Sequence, residues 1–490
     1  MSDDHAAVTY ADGTVRGRRL ADLLSWRGIP YAAPPVGPLR LRAPRPVSPW
    51  AGVRDALSFG PPAPQRRRRG SEDCLTLNIL RQAEPSAAPR PVMVYIHGGA
   101  HTAGTSAAPM YSGASLVRRG DVVFVSLGYR LGALGYLDFR EFSTPEHTFD
   151  ANLGLRDQIA ALEWVQRNIA AFGGDPSNVT LFESAGADAV VTLMCTPAAR
   201  GLFARAIAQS PPPATSNGTE LAGLWAREFL DLAGVSRADA AHYLTTASPE
   251  ALVRTAATLS ARGADEVPGV RPFAPVADGA VLPDHPLDAF EAGTEHRVPL
   301  IIGTNAQEGR IFPRMLDILP TDRPRIEKMF EGTDPAIAAR VTAAYPGYPR
   351  RRRGADLGGD VVFWEPSLRC AHAHTRHTET YMYRYDFAPR LLHLAGLGAT
   401  HATELFAVFG RRGVGVRTLT ALGGRKGLRA VTDTMQRHWL EFAHSGRPLD
   451  SWPRYSSEHR DTLIIDEVCR VECDPARRRR EAWLGYRHRH

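Results

Sequence analysis

Apolar residues fall into two patterns along the chain: short unbroken runs, and longer stretches that step by three and four. The runs Val92–Ile96, Val122–Leu127, Val179–Phe182, Leu300–Ile302, Tyr381–Tyr385 and Thr462–Ile465 have the length and continuity of strands buried on both faces. Between Asn152 and Phe172, the residues Leu155, Ile159, Leu162, Val165, Ile169 and Phe172 recur at helical spacing, and Gly173, Gly174 and Pro176 end the helix. The strand Asn178–Phe182 follows at once, and after it a second helical stretch over Ala187–Cys195. Strand, helix, strand, helix in close order predicts an α/β fold, with a large, mostly parallel central sheet flanked by helices on both faces.

The segment 211–299 is less regular, with helical patches at Leu221–Ala233 and Pro249–Ser260. No linker bounds it, so residues 1–490 are expected to form one domain in which this stretch is an elaboration over the sheet. Pro61–Gly70 and Pro346–Gly354 are expected to be loops.

Composition and charge narrow the function classes. With 43% hydrophobic and 23% charged residues the chain is globular rather than disordered or fibrous. A net charge of +7 and the runs Arg66–Arg69, Arg350–Arg353 and Arg477–Arg480 raise the question of an anionic macromolecular partner. Lys328 and Lys426 are the only lysines among 59 basic residues, so arginine stands for lysine throughout, and the runs lack interleaved aromatics. No nucleic-acid or membrane partner is therefore expected. Cys74, Cys195, Cys370, Cys469 and Cys473 are too few and too scattered for a disulfide framework or a zinc site, and nowhere do 18 apolar residues run together. These features predict reduced thiols and a cytoplasmic location. His372, His374 and His377 gather near Glu379 in a polar stretch expected to be a solvated face, so neither metal nor cofactor is called for. Nothing in the sequence specifies an oligomeric state.

Hydrolysing an ester at neutral pH takes a nucleophile, a base, an acid to orient the base, and donors for the oxyanion. Ser184, in Phe182-Glu183-Ser184-Ala185-Gly186, lies between a buried strand and a helix, where a sharp turn lifts a hydroxyl clear of the sheet. Ser106 has no such context and is assigned to a loop. His97-Gly98-Gly99-Ala100 directly follows Val92–Ile96, and its small residues let backbone N–H groups approach a substrate oxygen. The order serine, acid, histidine places the other partners after Ser184. Glu308 follows the strand Leu300–Ile302 closely, whereas spacing does not choose among the 17 histidines.

Several ordered blocks resemble the type-B carboxylesterases, a family of bacterial esterases, animal carboxylesterases and cholinesterases. They are RGIPYAAPPVGPLR (Arg27–Arg40), SEDCLTLNI (Ser71–Ile79), YIHGGAHTAG (Tyr95–Gly104), GLRDQIAALEWVQRNIAAFGGDPSNVTLFESAG (Gly154–Gly186), LFARAIAQS (Leu202–Ser210), PLIIGTNAQEGRIF (Pro299–Phe312) and GATHATELFAVFG (Gly398–Gly410). The resemblance spans nearly the whole chain. It implies an α/β-hydrolase acting on a small-molecule ester, with Ser184 as nucleophile, Glu308 as acid, His401 as base, and an oxyanion hole from the N–H groups of Gly99, Ala100 and Ala185. Asp157 and Glu183, inside matching blocks, are expected to brace the site. Amides and thioesters share the same chemistry.

The chain departs from the family at the nucleophile. Relatives read VTLFGESAG where Val179–Gly186 reads VTLFESAG, one glycine short. A lost residue removes about 3.3 Å of extended chain, while a serine–histidine bond works over about 2.6–3.2 Å. A one-residue slip of a strand buried on both faces can compensate, but Phe182 is then expected to crowd the following helix. This raises an alternative, a catalytically impaired or non-catalytic binding member of the family. Gln307 for Asp, Ala402 for Gly, Gly128 for Asn and Pro211 for Gly are lesser departures.

Overall fold

Every side chain of the strand Arg90–His97 is buried, as a strand covered by helices on both faces requires. Its residues alternate between two cores. Val92, Val94 and Ile96 pack with Leu155, Trp164 and Val165 of the helix Leu153–Asn168. Met93 and Tyr95 pack on the other face with Val431, Met435 and Trp439 of the helix Arg425–Ser445.

The structure, a computed structural model, describes residues 5–184 and 188–488. Its strands are β1 (His5–Tyr10), β2 (Gly13–Leu20), β3 (Leu23–Pro30), β4 (Val53–Asp55), β5 (Thr76–Gln82), β6 (Arg90–His97), β7 (Val123–Leu127), β8 (Gly174–Ser184), β9 (Arg205–Gln209), β10 (Asn217–Gly218), β11 (Val276–Ala277), β12 (Leu300–Asn305), β13 (Thr380–Tyr385), β14 (Asp461–Ile465) and β15 (Arg470–Cys473). Among the described residues, 13 strands make one sheet in the order β1-β2-β3-β5-β7-β6-β8-β9-β12-β13-β14-β15, with β4 beside β2. Neighbours from β7 to β14 are parallel, the pairs from β1 to β7 and from β14 to β15 along this order are antiparallel, and β4 runs parallel to β2. Each apolar run read from the sequence is a strand of the parallel region. The antiparallel flank β1–β3 gave no such run, because a half-exposed strand such as GTVRGRRL alternates buried with exposed positions.

The helical patches of 211–299 are the helices Thr219–Ala233 and Pro249–Glu266, whose Trp225, Phe229, Leu252 and Leu259 join the same core as β6 and β8. The expected loop Pro346–Gly354 is instead helical from Arg351, within the helix Arg351–Gly359. Its glycines serve close packing rather than a break. A side chain on Gly359 would collide with the backbone of Gly309, and one on Gly309 with the Ala355 carbonyl, so this helix lies directly against the chain that follows Glu308. Among the described residues no helix is long and apolar enough to cross a membrane.

Candidate active site

Strands β6, β8, β9 and β12 are adjacent and parallel, so the segments leaving their C-terminal ends emerge together. From Val92↔Val179 to His97↔Ser184, β8 pairs with β6 residue for residue. The irregularity in this pairing lies at the opposite end, between Arg90↔Gly174 and Val92↔Val179. Strand alternation turns Phe182 toward Tyr95, with ring centroids 5.0 Å apart, in the core of the helix Arg425–Ser445. The helix Asp188–Met194 packs in the other core, so the expected crowding of that helix by Phe182 does not occur. Glu183 faces that helix instead, and its Oε2 accepts the Ala189 N–H at 2.9 Å. Burial, and then the neighbouring Asp188 charge, pushes the Glu183 carboxyl well up. Ser184 ends β8, and Ala185, assigned to the oxyanion hole by resemblance, lies outside the described residues.

Beyond β6 the chain turns back on itself, with φ of +132° at Gly99, +52° at Ala100 and +57° at His101. Thr102 and Ala103 each donate a backbone N–H to Gly99 O at 3.1 Å. A side chain at Gly99 would collide with the Ala103 carbonyl, so the turn requires glycine there. Among the described residues, neither Gly99 N–H nor Ala100 N–H has a carbonyl partner. His97 is held beneath the loop, stacked on Tyr129 at 4.5 Å, and burial lowers it to about 4, so it is neutral. His101 stacks on Tyr136 at 4.0 Å and sits 3.8 Å from Asp188, which Arg271 holds at 2.8 Å.

Glu308 and His401 are brought together from positions 93 apart in sequence, with His401 Nδ1 2.6 Å from Glu308 Oε2. Glu308 is 1% exposed and opens the turn after β12, so it is no solvated loop acid. The imidazole stacks on Phe363 at 4.7 Å and meets Phe312 at 5.1 Å, which limits its rotation. Glu308 Oε1 accepts from Ser210 Oγ at 2.5 Å, from Asn305 N at 2.6 Å and from Asn305 Nδ2 at 3.1 Å. Gln307 bonds both ways with Ala399, N–H to carbonyl at 3.0 Å and Oε1 from N–H at 2.8 Å, pinning the loop that carries His401. The next residue, Ala402, has φ of +68°, a backbone that suits the glycine common there in relatives.

Ser210, Asn305 and Glu404 are site residues that the sequence did not single out. Each lies in a block quoted above but forms no motif of its own; β9–β12 pairing and the His401 turn assemble them. Asn305 Nδ2 also donates to Glu404 Oε2 at 2.7 Å, coupling a second buried carboxyl to Glu308. Burial, and then the Glu308 charge, raises Glu404 to about 7. A carboxyl raised in this way holds its proton more tightly folded than unfolded, so the stability it contributes is full at low pH and is lost as pH climbs from about 4.5 through about 7. Glu404→Gln carries no charge at any pH and still accepts from Asn305. It is expected to melt with the wild type at pH 5 and about 1–3 °C above it at pH 8. Unfolding midpoints at the two pH values measure this, and equal shifts at both would contradict it.

Asp157, expected to brace the site, is a fully buried carboxylate on the helix Leu153–Asn168 that takes Arg130 Nη2 at 2.6 Å, Nε at 2.8 Å and the Arg130 N–H at 3.1 Å, fixing the segment after β7. Ser106 belongs to a loop, its hydroxyl accepting from Asn78 Nδ2 at 3.1 Å. His374, expected on a solvated face, is instead buried and bound to Glu295 at 2.6 Å and Val298 O at 2.9 Å. Among the described residues no group of three or more His, Cys, Asp or Glu side chains is placed to hold a metal ion.

A largely parallel sheet whose buried polar network gathers beyond the C-terminal ends of four neighbouring strands is the architecture of the α/β-hydrolases. The chain belongs to the carboxylesterase family, whose model matches residues 4–483. It is 35% identical to the para-nitrobenzyl esterase of Bacillus subtilis (strain 168) over 97% of this chain and 98% of that one. It is 34% identical to the fumonisin B1 esterase of Sphingopyxis macrogoltabida over 93% and 86%. A solved para-nitrobenzyl esterase structure superposes with a TM-score of 0.86 at 34% identity, covering 98% of this chain and all of that one. The protein is accordingly a serine carboxylic ester hydrolase, and the alternative of a non-catalytic binding member finds no support among these esterases.

Proposed function

We propose that Ser184, His401 and Glu308 are the nucleophile, base and orienting acid of a two-step acyl transfer, with the oxyanion held by the N–H groups of Gly99, Ala100 and Ala185. The Glu308–His401 contact of 2.6 Å carries this proposal. With Nδ1 committed to the carboxylate, the neutral ring keeps its acceptor lone pair on Nε2. His401 takes the proton of Ser184 as its oxygen attacks the ester carbonyl, and the negative charge moves to the carbonyl oxygen. Collapse expels the alcohol, protonated by His401, and water then repeats the cycle on the acyl-enzyme to release the acid.

The substrate is a small-molecule carboxylic ester, handled by one domain that includes the 211–299 elaboration. A reducing, cytoplasmic setting is supported by five thiols that form no disulfide. Arginines of two of the three basic runs are paired within the molecule: Arg353 with Asp356, Arg477 with Glu481, Arg479 with Asp360 and Arg480 with Asp474. That supports a protein without nucleic-acid or membrane partners, and retention on heparin at physiological salt would contradict it.

A fluorophosphonate probe tests the nucleophile. Intact-mass and peptide analysis are expected to find one adduct per chain, on Ser184. An adduct on another serine, or none on folded protein, would overturn the assignment.

A further inference from the structure

Two arginines of the run Arg66–Arg69, Arg66 and Arg67, line a cavity and, among the described residues, form no internal ion pair. Gln65 and Arg68 pair across a tight turn that puts Arg66 and Arg67 at its tip, with φ of +63° at Arg67. The turn is built onto the oxyanion loop. Buried Gln65 donates from Nε2 to Gly104 O at 2.8 Å, and Gly104 N–H returns a bond to Gln65 Oε1 at 2.9 Å.

Below the turn lies a cavity of about 390 Å³, within the size range of small-molecule sites. Its walls are mainly aliphatic, including Leu131, Ala133, Leu134, Leu252 and Ala256, and Arg66 and Arg67 line it with them. A small pocket that reaches Ala100 shares Thr102, Ser260, Leu316 and Ile318 with it, so the cavity adjoins the oxyanion loop. The one carboxylate lining it, Asp317, is engaged by Arg325 at 2.8 Å. Among the described residues neither Arg66 nor Arg67 has an ion-pair partner, and Glu72 nearby is taken by Arg40 at 2.7 Å. An apolar chamber with the loop that follows β6 at one side and two unneutralised guanidinium groups at another is complementary to an ester whose apolar body ends in a carboxylate, which arginine binds through two parallel N–H bonds.

We propose that Arg66 and Arg67 select esters that carry a second, free carboxylate, held at the edge of this cavity while the ester bond lies at the Ser184 site. This rests on the Ser184 assignment above. The charge can belong to either half of the ester, a half-ester of a dicarboxylic acid or an ester of a carboxylated alcohol, and the test separates them.

Two matched pairs differ only by carboxylate against carboxamide: 4-nitrophenyl hydrogen adipate with 4-nitrophenyl 5-carbamoylpentanoate, and 4-carboxybenzyl with 4-carbamoylbenzyl butyrate. In one pair the wild type is expected to favour the carboxylate by about five- to tenfold in kcat/KM at low salt, mostly through KM, with the preference shrinking as salt screens the charges. The pair that responds tells which half of the ester occupies the cavity. Arg66→Gln/Arg67→Gln is expected to bring that ratio to within about twofold of unity while keeping the rate on the neutral partner. A wild type that favours neither carboxylate, or a preference that survives the double substitution, overturns the proposal. Should none of the four esters turn over, the catalytic assignment fails, and calorimetry with the corresponding non-hydrolysed amides decides the cavity. Carboxylate-dependent binding lost in the double variant upholds the proposal, and equal binding of both members in each pair rejects it.

Discussion

Replacing His401 by alanine is expected to lower kcat for p-nitrophenyl butyrate by about 10⁴–10⁶-fold with KM changed less than about threefold, because the base acts in the transition state and not in binding. The ring is held for this task by the Glu308 carboxylate on Nδ1 and by Phe363 and Phe312 against its faces. Truncation leaves a gap between two phenyl rings, so unfolding must be measured alongside; a folded variant with a large kcat loss separates chemistry from collapse. Recovery of part of the rate with added imidazole would tie the loss to proton transfer. A loss below about 100-fold in folded protein would mean that another group serves as base.

Glu308→Gln is expected to cost about 10⁴-fold in kcat, more than the loss of one charge suggests, because the surrounding donors dictate how the amide must lie. Ser210 Oγ, Asn305 N and Asn305 Nδ2 all donate to Oε1, so the glutamine oxygen is drawn to that side. Its NH₂ then faces His401 Nδ1 and can only donate, forcing the tautomer with its proton on Nε2, which accepts no proton from Ser184. The rate of this variant should keep rising at alkaline pH, where hydroxide substitutes for the missing base. A variant with wild-type kcat and an unchanged pH profile would remove Glu308 from the mechanism.

The sequence was most legible where physics leaves one solution. Strands buried on both faces must be unbroken apolar runs, and each run found is a strand of the parallel region. The antiparallel flank was invisible because β2 buries only Val15 and Gly17 and leaves Arg18 and Arg19 exposed, a weaker signal than continuity. Phe182 was misjudged for a different reason. Its position next to a helix in sequence suggested contact with that helix, but strand alternation sends it to the opposite core, and only the register with Tyr95 reveals this. Pro346–Gly354 was expected to be a loop because a sequence does not state which backbone will press against its glycines; Gly354 lies against the Thr321 carbonyl. Ser210, Asn305 and Glu404 escaped for the same reason: serine, asparagine and glutamate are common, and their meaning comes from β9 lying beside β12.

The pairing of His97 with Ser184 has a bearing on how this enzyme can change over time. The proposed donor loop and nucleophile leave adjoining strands from directly opposed residues, so their backbones are separated by the spacing of a β-ladder, about 4.8 Å, irrespective of the side chains further out. Segments that line the cavity, including the arginine turn and Met315–Ile318, can therefore drift, lengthen or exchange residues without resetting the distance on which bond-making depends. Adaptation to a new ester is thereby separable from upkeep of the chemistry. Libraries confined to those segments should retain a far larger share of active clones than equally dense libraries placed in β6 or β8.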